Sequence, residues 1–101
     1  MLDFAQEALA LARGKSREDL DQERMLQLSL ARLVELIGEA ASKIPEPFQE
    51  TWAQIPWREI INMRHRLIHG YDLLDLELLW QTVEEDLLVL VTQLEEILAE
   101  V

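Results

Sequence analysis

Cysteine is absent from this chain of 101 residues. That removes disulfides, thiolate metal sites and cysteine nucleophiles, and it fits a reducing compartment. Basic residues are scarce: nine Lys and Arg stand against 20 Asp and Glu, a net charge of −11. So acidic a chain is not a general nucleic-acid binder, because phosphate affinity comes mainly from lysines and arginines that release counterions. Its surface suits a basic partner instead. Long apolar runs are missing too, and none approaches the ~18 residues that a membrane span needs. Residues 1–7 show no basic region leading into an apolar run, so no signal peptide is expected and a cytoplasmic location is.

What is present is hydrophobic and helical. Half the residues are hydrophobic, which excludes a disordered chain, and the length suits one domain, residues 1–101. The first helix is expected from Leu2 to Arg13, ended by Gly14. Ser16, with Glu18 and Asp19 behind it, reads as an N-cap. A long helix is expected from there to about Lys43, with the apolar stripe Met25, Leu26, Leu30, Leu33, Ile37, Ala40 and Ala41. Pro45 and Pro47 break it, and a single helical turn can follow over residues 48–52. Pro56 opens a third helix, buried through Trp57, Ile60, Ile61, Met63, Leu67 and Ile68 and ended by Gly70. Asp75 can cap a fourth, from Leu76 to about Glu100. No strand alternation is seen. The fold class is therefore all-α, a bundle of four to five helices.

The fourth helix carries Leu76, Trp80, Val83, Leu87, Leu90, Leu94 and Ile97, spaced alternately four and three. This is a heptad seam, and four-helix bundles use the same spacing. Leu78, Leu79, Leu88, Val91 and Leu98 are apolar outside the seam. A helix apolar on more than one face must bury more than one face, which in so small a domain suggests a second subunit.

The rarest residue types gather in one place. Both histidines and the single tyrosine lie in His65-Arg66-Leu67-Ile68-His69-Gly70-Tyr71, directly after Arg64. From residue 72 to 101 there are nine acids and no Lys or Arg, so any polyanion is met at this one cationic island. On a helix His65 and His69 share a face, while Arg64 and His69 are about 140° apart at ~100° per residue. Gly70 lets the chain turn, so that Tyr71 can fold back toward the same surface.

Three chemical readings are open. Two histidines four apart suit zinc, but Arg64 and Arg66 repel a cation and no glutamate lies between the histidines to act as a base; no metal and no cofactor are expected. The second reading is phosphodiester chemistry, in which histidine moves a proton at a ribose 2′-hydroxyl or leaving oxygen and arginine holds the pentavalent phosphate. The third is structural: helix-end histidines and surface arginines paired with acids such as Asp72 and Asp75.

Arg64-x4-His69-x-Tyr71 resembles the RX4HXY motif of HepT-like proteins, a branch of the HEPN superfamily. Glu35-Leu36-Ile37-Gly38-Glu39-Ala40-Ala41 is similar to that family's second-helix segment, and Ile55-Pro56-Trp57-Arg58-Glu59-Ile60-Ile61-Asn62-Met63 to its approach to the motif. Leu76-Glu77-Leu78-Leu79-Trp80 resembles the start of its fourth helix; Arg13-Gly14-Lys15-Ser16 with Asp19-Leu20 is a weaker match. The resemblance implies a HEPN-type helical bundle that forms a homodimer with its two motifs facing each other. It implies a metal-independent RNA endonuclease, the toxin of a type VII toxin–antitoxin pair, with Arg64 and His69 as the catalytic pair. The implied partner is a minimal nucleotidyltransferase antitoxin, which transfers AMP to Tyr71. Facing motifs could together supply a base, an acid and charge stabilisation.

His65 stands where the superfamily has a polar residue and this branch often has asparagine; it and Arg66 are assigned supporting roles. Glu35 and Glu39, four apart, form either a solvated or salt-bridged face or a pair that orients Arg64 or His69. Trp52, Trp57 and Trp80 read as core or interface anchors. The alternative function is a non-catalytic binding subunit of the nucleotidyltransferase complex, which the acidity of the chain favours.

Overall fold

The computed structural model describes residues 1–69 and 73–100, His69 by its backbone alone. Helix α1 spans Leu2–Ala12. Its buried residues are Ala5, Ala8 and Ala12, a row of small side chains that lets neighbouring helices approach closely. Gly14, at φ 75°, turns the chain out of the helix in the left-handed region that only glycine enters without strain.

Helix α2 (Arg17–Gln22) begins at Ser16 in a complete capping box. The Ser16 hydroxyl accepts from the Asp19 amide at 3.2 Å, and the Asp19 carboxylate accepts from the Ser16 amide at 2.9 Å. The expected long helix does not run on from here. Glu23 is extended, and α3 (Arg24–Ser42) starts afresh. Two side chains stabilise the break. Lys15 pairs with Glu23 at 3.1 Å, and the Gln27 amide donates to the carbonyls of Leu20 and Asp21 at the end of α2. Gln27 is buried for that purpose, whereas Met25, expected in the apolar stripe, is 78% exposed. The α3 core face is Leu26, Leu30, Leu33, Val34, Ile37 and Ala41.

A short helix α4 (Glu46–Thr51) precedes α5 (Trp57–Leu67), for which Pro56 is the N-cap. Trp57 is a buried anchor whose indole N–H donates to the carbonyls of Gln49 and Trp52, each at 3.1 Å. Helix α5 ends at Leu67, earlier than expected. Ile68–His69 (β1) pairs antiparallel with Leu73–Leu74 (β2), Ile68 opposite Leu74 and His69 opposite Leu73. The free Leu67 carbonyl accepts from the Asp75 amide at 2.7 Å, so the helix end finds its partner across the hairpin rather than along the chain. Ile68, expected to be buried, is 43% exposed.

Asp75 caps α6 (Leu76–Gln81), accepting from the Leu78 amide at 3.0 Å. A π-helical turn, Thr82–Asp86, joins α6 to α7 (Leu87–Glu100), with the Leu87 amide donating back to the Thr82 carbonyl. The wider turn changes the expected seam. Leu79, Val83 and Leu87, each four apart, are all buried, while Leu76 and Trp80 are only partly so. A π turn accommodates two spacings of four in succession, where a heptad alternates four and three. Beyond it the seam holds: Leu90, Leu94 and Ile97 are buried.

Helix α3 is the centre of the bundle. It packs on α1 on one side and α5 on the other, and α1 also meets α7. The described chain is thus mostly helical, as expected, with one short hairpin added at the motif. No helix of the described residues is long and apolar enough to cross a membrane.

Candidate functional site

The motif lies where α5 ends and the hairpin begins. Arg64, His65 and Arg66 occupy the last turn of α5 and all three are exposed. Cations at this end of a helix are favourable, because the unpaired carbonyls there carry partial negative charge. Met63 and Leu67, on the opposite side of the same turn, are buried and anchor it. The Thr82 hydroxyl adds a contact to the Met63 sulfur at 3.8 Å.

Helices α3 and α5 run antiparallel at this point, as two contacts show. A Cβ on Gly38 would lie 2.9 Å from the Ile60 carbonyl oxygen, so the helix backbones nearly touch there. About one turn further along, Arg64 Nε lies 3.6 Å from Glu35 Oε1. The same oxygen accepts from Arg32 Nη1 at 3.0 Å, and Arg32 also reaches Glu39 at 3.7 Å. The Glu35–Glu39 face is therefore salt-bridged, and Glu35 touches the motif arginine. Neither Arg32 nor Gly38 was singled out by the sequence. Arg32-x2-Glu35-x3-Glu39 is visible as one helix face, but nothing local says that the face meets α5.

The cationic island is divided between two flanks. Arg64 turns toward α3. Arg66 lies near enough to Asp86 of the π turn for its charge to act there. The Asp86 carboxyl is nevertheless pushed above its ordinary range, chiefly by burial and then by Glu85, with a smaller push from Glu59. Asp86 and Glu59 line a cavity of about 330 Å³ between α3, α5 and α7, together with the apolar Val34, Ile37, Ile60, Met63 and Leu90.

The expected helical relation of His65 and His69 does not hold. Ile68 is extended (φ −100°, ψ 115°) and His69 belongs to β1, so neither a shared helix face nor the 140° separation from Arg64 applies. The hairpin carries the His69 backbone away from the helix axis and opposite Leu73. Gly70 and Tyr71, with the expected turn and return of the tyrosine, lie outside the described residues, as does Asp72. Among the described residues no cluster of three or more His, Cys, Asp or Glu could hold a metal ion.

This arrangement offers an exposed guanidinium group, that of Arg64, held by a carboxylate from a second helix, on the element that leads into a histidine. Such a surface can bind and orient a phosphate.

A "Probable ribonuclease HepT" of Thermococcus cleftensis is 43% identical over 70 residues, covering 69% of this chain and 64% of that protein. A protein of Caldanaerobacter subterraneus that carries the provisional name of an RNase is 36% identical over 86 residues, 85% of this chain and 77% of its own length. A third, from Methanocaldococcus jannaschii and also provisionally named an RNase, is 31% identical over 86 residues, covering 85% and 79%. The chain thus spans just under two thirds of the first of these relatives and more of the other two. No solved structure matches it significantly. The family model described as "Ribonuclease HepT-like" matches residues 1–100, and the chain belongs to that ribonuclease family.

Proposed function

We propose that this protein is a metal-independent RNA endonuclease, the toxin of a type VII toxin–antitoxin pair. Its residues 1–101 form one HepT-like domain. The observation that carries the reading is the exposed Arg64 at the end of α5, tied to Glu35, in a chain of the ribonuclease HepT-like family. Arg64 binds the scissile phosphate and stabilises the charge that develops on it. His69, five residues on, takes the proton from the ribose 2′-hydroxyl or returns one to the leaving oxygen. The 2′-oxygen attacks phosphorus, the bond to the 5′-oxygen breaks, and a cyclic phosphate remains. His65 and Arg66 support the site by adding positive charge where the rest of the surface is acidic.

The active form is a homodimer in which two motifs face each other, each copy supplying one arginine and one histidine. Exposed apolar side chains support a second subunit: Leu88 and Leu98 on α7, Met25 and Leu28 on α3, and Ile68 and Leu73 in the hairpin. The partner is a minimal nucleotidyltransferase that transfers AMP to Tyr71. The added phosphate then competes with RNA for the cationic site.

The test is RNA cleavage by the purified protein beside His69→Ala, with chelator present and the mass of each sample measured. Cleavage by the wild type alone supports the reading. No cleavage by an unmodified, folded wild-type dimer would overturn it in favour of a non-catalytic binding subunit. Sedimentation of the same sample reads the dimer directly.

A further inference from the structure

The contact between α3 and α5 includes an arginine that the motif does not contain. Arg32 and Arg64 come from different helices, yet both reach the same oxygen of Glu35, at 3.0 and 3.6 Å. Glu35 is the sunken member of the trio, its side chain 22% exposed against 56% for Arg32 and 59% for Arg64. A carboxylate so placed holds two guanidinium groups side by side and leaves their outer edges in solvent. Arg64 makes this contact through Nε, and its two terminal nitrogens make no hydrogen bond with a described residue. Arg32 makes its contacts to Glu35 and Glu39 through Nη1, and its Nη2 and Nε make no hydrogen bond with a described residue. Exposed ion pairs of this kind contribute little to stability, about 0–1 kcal/mol, so folding alone gives small reason for the arrangement.

We propose that Arg32 is a second phosphate-binding arginine of the RNA site, set beside Arg64 by the Glu35 they share. The proposal rests on the nuclease reading of Arg64. A ribonucleotide chain presents phosphates in series, and two adjacent guanidinium forks can take successive ones. Arg64 holds the scissile phosphate and Arg32 a neighbouring one. The antiparallel course of the helices gives the direction. Arg32 lies one turn beyond Glu35, toward the end of α5 that leads into His69, so the strand follows the same line as the chemistry. The two glutamates offset the charge of the two arginines, so phosphate is held here by directed hydrogen bonds from the guanidinium edges left in solvent rather than by net positive charge. A lysine at this position supplies charge without the fork.

The experiment measures binding of a single-stranded 2′-O-methyl oligonucleotide, which cannot be cut through a 2′-hydroxyl, over a series of salt concentrations. Wild type, Arg32→Ala, Arg32→Lys and Arg64→Ala are compared, with circular dichroism as the check on folding. Arg32→Ala is expected to bind about tenfold more weakly, and the slope of log affinity against log salt to fall by about 0.7, the loss of one phosphate contact on a single strand. Arg32→Lys is expected to restore the slope but only part of the affinity. On cleavable RNA, Arg32→Ala is expected to lose activity chiefly through KM, whereas Arg64→Ala loses it through kcat. Unchanged affinity and slope in Arg32→Ala would leave Arg32 an ion-pair partner of α3 and overturn the proposal, as would a wild type that does not bind the oligonucleotide. The two readings fail separately. Cleavage that ignores Arg32 sinks only this proposal, and Arg32-dependent binding without cleavage sinks only the nuclease.

Discussion

Glu35 on α3 meets Arg64 on α5 at 3.6 Å, one helical turn from the place where Gly38 lets the two backbones approach. The ion contact depends on the glycine contact. Long side chains from two helices share a carboxylate oxygen only if the helix axes are close, and at Gly38 even a methyl group would collide with the Ile60 carbonyl.

Gly38→Ala is therefore expected to destabilise the protein. The added Cβ would lie 2.9 Å from a backbone oxygen and 3.5 Å from the next, neither of which can rotate away. Overpacking of this kind costs about 1–3 kcal/mol, more than the ~1 kcal/mol that alanine gains over glycine in helix propensity. A net loss of about 1 kcal/mol is expected in a denaturant titration, together with slower RNA cleavage as Glu35 and Arg64 separate. An unchanged midpoint would mean that the α3–α5 contact adjusts freely.

Arg64→Ala is expected to reduce kcat for RNA cleavage by about 10²–10³, the usual loss when one stabiliser of transition-state charge is removed. His69→Ala is expected to lose about 10²–10⁴. Arg64→Lys should recover only part of the rate, because the ammonium lacks the planar fork. Both alanine variants should keep the wild-type circular dichroism spectrum. Full activity in a clean Arg64→Ala preparation would remove the arginine from the mechanism.

Incubation with a minimal nucleotidyltransferase and ATP is expected to raise the intact mass of the wild type by one or more AMP units and to stop cleavage. Tyr71→Phe should keep its mass and its nuclease activity under the same treatment. A mass gain that persists in Tyr71→Phe would place the modification on another residue.

Asp86 makes a prediction about pH. Burial first, and then Glu85, raise its carboxyl above the ordinary 3.8, against the pull of Arg66. A carboxyl whose pKa is higher in the folded state binds its proton more tightly there. Its contribution favours folding below the unfolded value and is lost as pH rises through the folded one. At neutral pH the ionised group counts against the fold. Asp86→Asn is expected to raise the denaturation midpoint at pH 7, with the gain shrinking below the ordinary carboxylate range. Equal midpoints at pH 7 would show that the carboxylate is solvated there without cost.

Much of the helical layout was legible because its signals are local. The Gly14 stop, the Ser16 cap, the Pro56 boundary and the Asp75 cap each involve groups within a few residues of one another, and all four stand where expected. The errors arose where distant groups intervene. The break at Glu23 depends on Gln27 turning its amide back onto α2, and Gln27 itself looks like an ordinary polar residue. The early end of α5 depends on Asp75 and Leu74, several residues later. The shift from Trp80 to Leu79 in the seam depends on a π turn that periodicity at 3.6 residues does not reveal.

By itself the sequence determined the helical class, most of the caps and which residue types gather at the motif, because cap residues, helical periodicity and the gathering of Arg64, His65, Arg66, His69 and Tyr71 are properties of neighbouring positions. Only the tertiary structure decided that Arg64 and Arg66 face different flanks, that the His69 backbone leaves the helix, and that Glu35 carries Arg32 to the side of Arg64. Those relations depend on how closely α3 and α5 approach and where the chain turns back. The first is settled by packing between segments some 30 residues apart and the second by pairing across the hairpin, and no pattern within a single segment is a sufficient cause of either.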